Sequence, residues 1–183
     1  MRFDRDGWLL GARRVPSPNV DPRPAQAVEL LVVHNISLPP GEFGSGDIFA
    51  LFQNRLDGSR HPFYGSLEGL RVSAHFVVER DGRLTQCVPL LQRAWHAGVS
   101  CWQGRERCND FSVGIELEGT DTEPYTDAQY GTLIQLVRTI AVELPIRAVV
   151  GHSDIAPGRK TDPGAAFDWH RLHAALGWGA AAD

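Results

Sequence analysis

Between Val28 and Val33 the chain is apolar except for Glu29, and a short continuous run of this kind predicts a strand buried on both faces. Val72 to Glu79 and Arg83 to Val88 flank Asp81-Gly82, a pair that accepts positive φ and predicts a hairpin. Phe111 to Leu117 alternates, with Val113, Ile115 and Leu117 on one face and Ser112, Gly114 and Glu116 on the other. Ala148-Val149-Val150 reads as a short strand before Gly151. Helical spacing appears three times. Asp47 is placed to cap a helix with Ile48, Leu51, Phe52 and Leu56 on one stripe. Thr126 and Gln129 form a capping box ahead of Tyr130, Leu133, Ile134, Val137, Ile140, Ala141 and Leu144. Asp168 is placed to cap a last helix through Leu172 and Leu176, which Gly177 ends.

The Pro-rich stretch from Val15 to Pro24 reads as an extended arm before the first strand. Ala94 to Asp110 lacks periodicity and reads as a long surface loop, a kind of segment that often carries function. Strands interleaved with long helices around a hairpin predict an α/β (α+β) fold, a central mixed β-sheet flanked by helices. No linker or repeat divides the chain, so residues 1–183 are expected to form a single domain.

Composition narrows the function. Hydrophobic residues at 43% and charged residues at 22% are ordinary for a globular protein and exclude disorder. The net charge of -4 disfavours a nucleic-acid or anionic-membrane binder, both of which need an accumulated positive field. No apolar run approaches the roughly 20 residues of a spanning helix, and Trp8-Leu9-Leu10 is too short for a secretory core. Cys87, Cys101 and Cys108 form no even framework and no CxxC pair, which fits free thiols in a reducing cytoplasm. Nothing in the pattern calls for an obligate interface, so a monomer is expected.

Candidate chemistry gathers where apolar strands run out. His34 ends one strand, His152 follows another, and Asp162 comes ten residues later. Two imidazoles and a carboxylate suffice for a catalytic zinc with a fourth position open to water, although the same spacing suits hydrogen-bonded structural histidines. Glu116 could serve as a general base, but Glu118 shares its face, and the periodicity does not choose between them or exclude a solvated face. The 18 Lys and Arg residues include a single lysine, Lys160. In a chain so biased toward arginine, a surviving ammonium is expected where a compact charge is needed at a developing oxyanion, although a solvent-exposed accident would leave the same trace. Arg71, Arg105 and Arg107 could clamp ligand carboxylates, and Trp95-His96 could stack on a sugar or peptide. A Cys–His nucleophile from Cys101 or Cys108 with His96 is the competing hydrolytic arrangement.

Several long blocks resemble the cytoplasmic anhydro-N-acetylmuramyl-L-alanine amidases that recycle cell-wall fragments. They are Leu31-Val32-Val33-His34-Asn35-Ile36-Ser37, Arg71-Val72-Ser73-Ala74-His75, Arg93-Ala94-Trp95-His96-Ala97-Gly98, Asn109 to Thr120, and Gly151-His152 with Arg159-Lys160-Thr161-Asp162-Pro163-Gly164. The resemblance implies a zinc amidase of the peptidoglycan-amidase and recognition-protein superfamily, acting on anhydromuramyl peptides. It places His34, His152 and Asp162 at the zinc-ligand positions, Glu116 at the catalytic carboxylate and Lys160 at the residue that assists the transition state. It also places Asn35, Arg71, His96 and Arg107 on or near the muropeptide. The sequence departs from the family at His61-Pro62-Phe63-Tyr64, where relatives read His-Pro-Tyr-Phe, so a tyrosine role near the metal does not transfer to position 63. A non-catalytic muropeptide-binding module and a cysteine-dependent hydrolase are the alternative readings.

Overall fold

Six strands build the central sheet of the computed structural model, which describes residues 1–177. In chain order the ten strands are β1 (Arg13–Arg14), β2 (Val20–Pro22), β3 (Leu30–Ile36), β4 (Phe76–Val78), β5 (Leu84–Gln86), β6 (Gln92–Ala94), β7 (Cys101–Trp102), β8 (Arg105–Glu106), β9 (Ser112–Glu118) and β10 (Ala148–Gly151). The sheet order is β1-β5-β4-β9-β3-β10, with β2-β6 and β7-β8 as separate two-stranded pairs. β4, β9, β3 and β10 run parallel, while β5 turns back antiparallel on β4 through the hairpin at Asp81-Gly82. The sheet is mixed, as the pattern predicts.

The apolar run at 28–33 starts pairing only at Leu30 and continues through His34 to Ile36. β9 is buried along its whole length, so its polar face is not a solvated one. Leu31, Val33, Val113, Ile115 and Leu117 point to one side, where they pack against Leu133, Leu136, Val137 and Ile140. Those four belong to α2 (Asp127–Glu143), which opens with the predicted Thr126–Gln129 capping box. α4 (Trp169–Leu176) joins that layer, capped by Asp168 and ended by Gly177 at φ +68°. Leu30 and Val32 face the other side, against Ala97, Cys108, Phe111 and Ile155.

Three expectations change. The helix α1 (Asp47–Phe52) is short, and Asp47 does not cap it. Its buried carboxylate instead accepts from the Tyr64 hydroxyl at 2.7 Å and pairs with Arg60. Residues 72–75 lie outside β4, which begins at Phe76. Ser73 N–H donates to the Trp95 carbonyl and His75 N–H to the Gly114 carbonyl. The segments read as arm and loop are also more ordered than expected. The arm supplies β2, and residues 94–110 contain the β7-β8 hairpin and a 3-10 turn at Cys108–Asp110.

Candidate metal centre

Parallel register brings the site together at the carboxyl ends of three strands, the edge where open α/β sheets bind ligands. His34 on β3 pairs in register with Glu116 on β9, so their side chains stand side by side on the same face. Val33 pairs with Gly151 at the end of β10, and His152 follows at once, opening the short helix α3 (His152–Ile155). The segment carrying Asp162 folds back onto this helix, with Ser153 N–H donating to the Asp162 carbonyl at 3.0 Å. Gly151 permits the approach, since a Cβ there would lie 2.8 Å from Pro163 Cδ.

His34 Nδ1, His152 Nδ1 and Asp162 Oδ2 converge. The two nitrogens are 2.9 Å apart, and each is 3.1 Å from the carboxylate oxygen. His34 and His152 are buried, and the Asp162 side chain is 14% exposed. His152 Nε2–H donates to the Ala97 carbonyl at 3.1 Å, which leaves its Nδ1 lone pair facing the cluster. Burial holds the His34 imidazole down to about 4, outweighing the raising effect of Asp162, so the ring is neutral near pH 7. Three such atoms repel one another unless a positive centre sits among them. Two imidazoles and a carboxylate form a borderline donor set that suits zinc, which in catalytic sites takes three protein ligands and one more from water or substrate.

Glu116 faces this cluster. It is 9% exposed, and its Oε2 has no hydrogen-bond partner. Burial, reinforced by the nearby Asp162 charge and opposed by Lys160, raises its proton affinity well above that of an ordinary carboxyl. Glu118, the other candidate, is committed to the fold, accepting from the main-chain N–H groups of Gly44 and Arg80. A cleft of about 350 Å³ lies in front of the cluster, with Asn35, Trp95, His96, Glu116 and Lys160 on its walls.

The other singled-out residues divide. Asn35 lines the cleft, its amide donating to Asp121 at 2.7 Å. Arg71 borders a neighbouring cavity beside Leu67 and Leu70, two residues that also line the cleft. The His96 ring is turned to His34, with Nδ1 3.0 Å from His34 Nε2. Arg107 is exposed and pairs with Asp110 at 3.2 Å, outside the residues that line the cleft. Arg105 is not free to clamp a ligand. It binds Glu29 and Gln26 and lies 3.8 Å over the Phe111 ring. Neither cysteine is bonded to His96, and Cys108 is buried. Phe63 lines the cleft, whereas Tyr64 is buried away from it on Asp47. Sequence reading missed Asp121 and Ser112, whose roles are hydrogen bonds across the fold that leave no periodic trace.

Residues 24–165 match the model of the N-acetylmuramoyl-L-alanine amidase family. The chain is similar to the 1,6-anhydro-N-acetylmuramyl-L-alanine amidase AmpD of Escherichia coli K12, with 61% identity over 169 residues covering 91% of this chain and 92% of that one. A crystal structure of a selenomethionine derivative of AmpD superposes with a TM-score of 0.94 at 56% identity, over 96% of this chain and 99% of that one. AmiD of E. coli, solved in complex with the substrate anhydro-N-acetylmuramic acid-L-Ala-D-γ-Glu-L-Lys, matches at a TM-score of 0.62 and 30% identity, over 97% of this chain and 66% of that one.

Proposed function

This chain belongs to the N-acetylmuramoyl-L-alanine amidase family, and from that premise we propose that it hydrolyses the amide between 1,6-anhydro-N-acetylmuramic acid and the L-alanine of the stem peptide, with zinc as its metal. The observation that carries this reading is the convergence of His34 Nδ1, His152 Nδ1 and Asp162 Oδ2 in front of an unpartnered buried carboxyl. When bound, zinc supplies a Lewis acid at the amide carbonyl and acidifies water.

The chain's own residues do the rest. Glu116 takes a proton from the attacking water as the new C–O bond forms, and its high proton affinity suits a base in a dry site. The same carboxyl delivers that proton to the alanine nitrogen as the C–N bond breaks, and the second water proton passes from the new lactyl carboxylic acid to the amine, leaving a carboxylate and an ammonium. Lys160, on the cleft wall, offers an ammonium to the oxyanion. Asn35, oriented by Asp121, and Arg71 on the rim provide polar contacts for the peptide, and Phe63 and Trp95 provide apolar wall for the sugar. Arg107 reaches the stem only by leaving Asp110.

The proposed enzyme is a single domain that acts as a monomer, since the candidate ligands and Glu116 form a complete catalytic set within one chain and the chemistry needs no partner residue. Among the described residues no helix is long and apolar enough to cross a membrane. The three free cysteines fit action in the cytoplasm, where anhydromuramyl peptides from cell-wall turnover would be recycled. The test is incubation with a defined anhydromuramyl tripeptide, with and without chelator. Released peptide that chelation abolishes and zinc restores supports the reading. A binding module would release nothing, and a cysteine hydrolase would ignore the chelator but yield to thiol alkylation.

A further inference from the structure

We propose that His96 is a positioning residue that fixes the proton of His34 on Nε2 and so turns its Nδ1 lone pair toward the metal. The inference rests on the metal reading above and concerns how the ligand is held. The Cys108 main-chain carbonyl, at the far end of the relay, can only accept. Ser112 Oγ lies 2.6 Å from that oxygen and donates its hydroxyl proton there. The same Oγ is 3.2 Å from His96 Nε2, so it accepts from Nε2–H. His96 therefore presents a proton-free Nδ1 to His34 Nε2 at 3.0 Å, and the contact is a hydrogen bond only if His34 carries its proton there.

A second, shorter relay does the same for His152, whose Nε2–H ends on the Ala97 carbonyl. Both relays finish on carbonyls of residues 94–110, the stretch whose sequence shows no periodicity. That stretch is itself pinned. Asn109 Oδ1 accepts from the main-chain N–H groups of His96 at 3.0 Å and Ala97 at 2.8 Å, and Ser100 Oγ accepts from Cys108 N–H at 3.1 Å. The His96 ring lies flat on β9 where residue 114 has no side chain, and a Cβ at Gly114 would overlap it. His96 is 8% exposed and His34 1%, so bulk water has little access to replace either partner. With both imidazoles held this way, His34 Nδ1, His152 Nδ1 and Asp162 Oδ2 all offer lone pairs to one point. Partners of this kind behind ligand histidines set metal affinity by about tenfold to a hundredfold.

Zinc titrated into metal-free protein against a chromophoric chelator tests this. His96→Ala is expected to weaken zinc binding by about tenfold to a hundredfold. His96→Asn, whose Oδ1 can accept from His34 in place of Nδ1, is expected to recover most of that loss. Ser112→Ala, which removes the far end of the relay, should weaken zinc several-fold and serves if His96→Ala does not fold. Long-range proton–nitrogen spectra of the unmodified metal-free protein should show His96 protonated at Nε2 and bare at Nδ1. Parental zinc affinity in His96→Ala or Ser112→Ala overturns the inference, as does equal loss in His96→Ala and His96→Asn or the opposite His96 tautomer. His34→Ala separates the two claims. If it keeps full zinc affinity the metal reading itself fails, whereas loss there with no loss in His96→Ala refutes only the role of His96.

Discussion

Replacing Glu116 with Gln removes the proposed base while keeping its shape. The carboxyl is buried on β9 beside His34, and Oε2 has no partner whose loss would disturb the fold. General-base assistance is worth about 10²–10⁴ in rate, or about 3–5 kcal/mol of barrier at 1.36 kcal/mol per tenfold. Two stability effects oppose each other. The amide relieves the cost of burying an ionised carboxyl, but its NH₂ gains a donor with no acceptor on that side, about 1–3 kcal/mol. The expected outcome is a melting temperature within a few degrees of the parent, unchanged zinc content, and peptide release slowed by at least a hundredfold. Chromatography of the released peptide reads the rate, and atomic absorption reads the metal. Turnover within threefold of the parent would refute the assignment. Loss of zinc in the variant would show that Glu116 holds the metal centre rather than acting on substrate.

Lys160→Arg should fold and bind zinc normally yet lose about a hundredfold to a thousandfold in rate, since a guanidinium fork cannot meet the oxyanion as a compact charge does; near-parental turnover removes the argument from the lone lysine. Asp21 is held below its usual range by the Arg93 guanidinium, which it meets through two hydrogen bonds of 2.6 Å. Its depressed pKa gives stability that is present above the unfolded value near 3.8 and fades as pH falls through the lower folded value. Asp21→Asn should therefore melt lower than the parent at pH 6, by on the order of 1 kcal/mol after solvent screening, and the gap should narrow below about pH 4; a gap independent of pH contradicts the pairing. Cys101→Ser should leave peptide release unchanged, since the exposed Cys101 has no bond to His96; a large rate loss would revive a thiol mechanism.

Much of the scaffold is legible in the sequence because its signals are local. The run feeding β3, the alternation of β9 and the Thr126–Gln129 box each report on residues within a few positions of one another. The misreadings share a cause. Asp47 has the composition of a cap, but Tyr64 and Arg60 draw its carboxylate inward. Residues 94–110 show no period because side-chain bonds from Asn109, Ser100 and Ser112 hold them, rather than a buried stripe. The metal centre sits between these cases. Both candidate ligand histidines lie just beyond an apolar run, and that much is visible, whereas Asp162 follows the polar stretch Arg159-Lys160-Thr161. Their meeting depends on parallel register between β3 and β10 and on a return of the chain to His34 across 128 positions, which only the family resemblance could supply.

The central claim is that His34, His152 and Asp162 hold one divalent ion without which the amide is not cleaved. Metal-free protein titrated with zinc while release of L-alanyl peptide from an anhydromuramyl substrate is followed tests it directly. Release should be absent at the start and rise linearly until it stops at one zinc per chain. Full turnover in protein shown to be free of metal would contradict it.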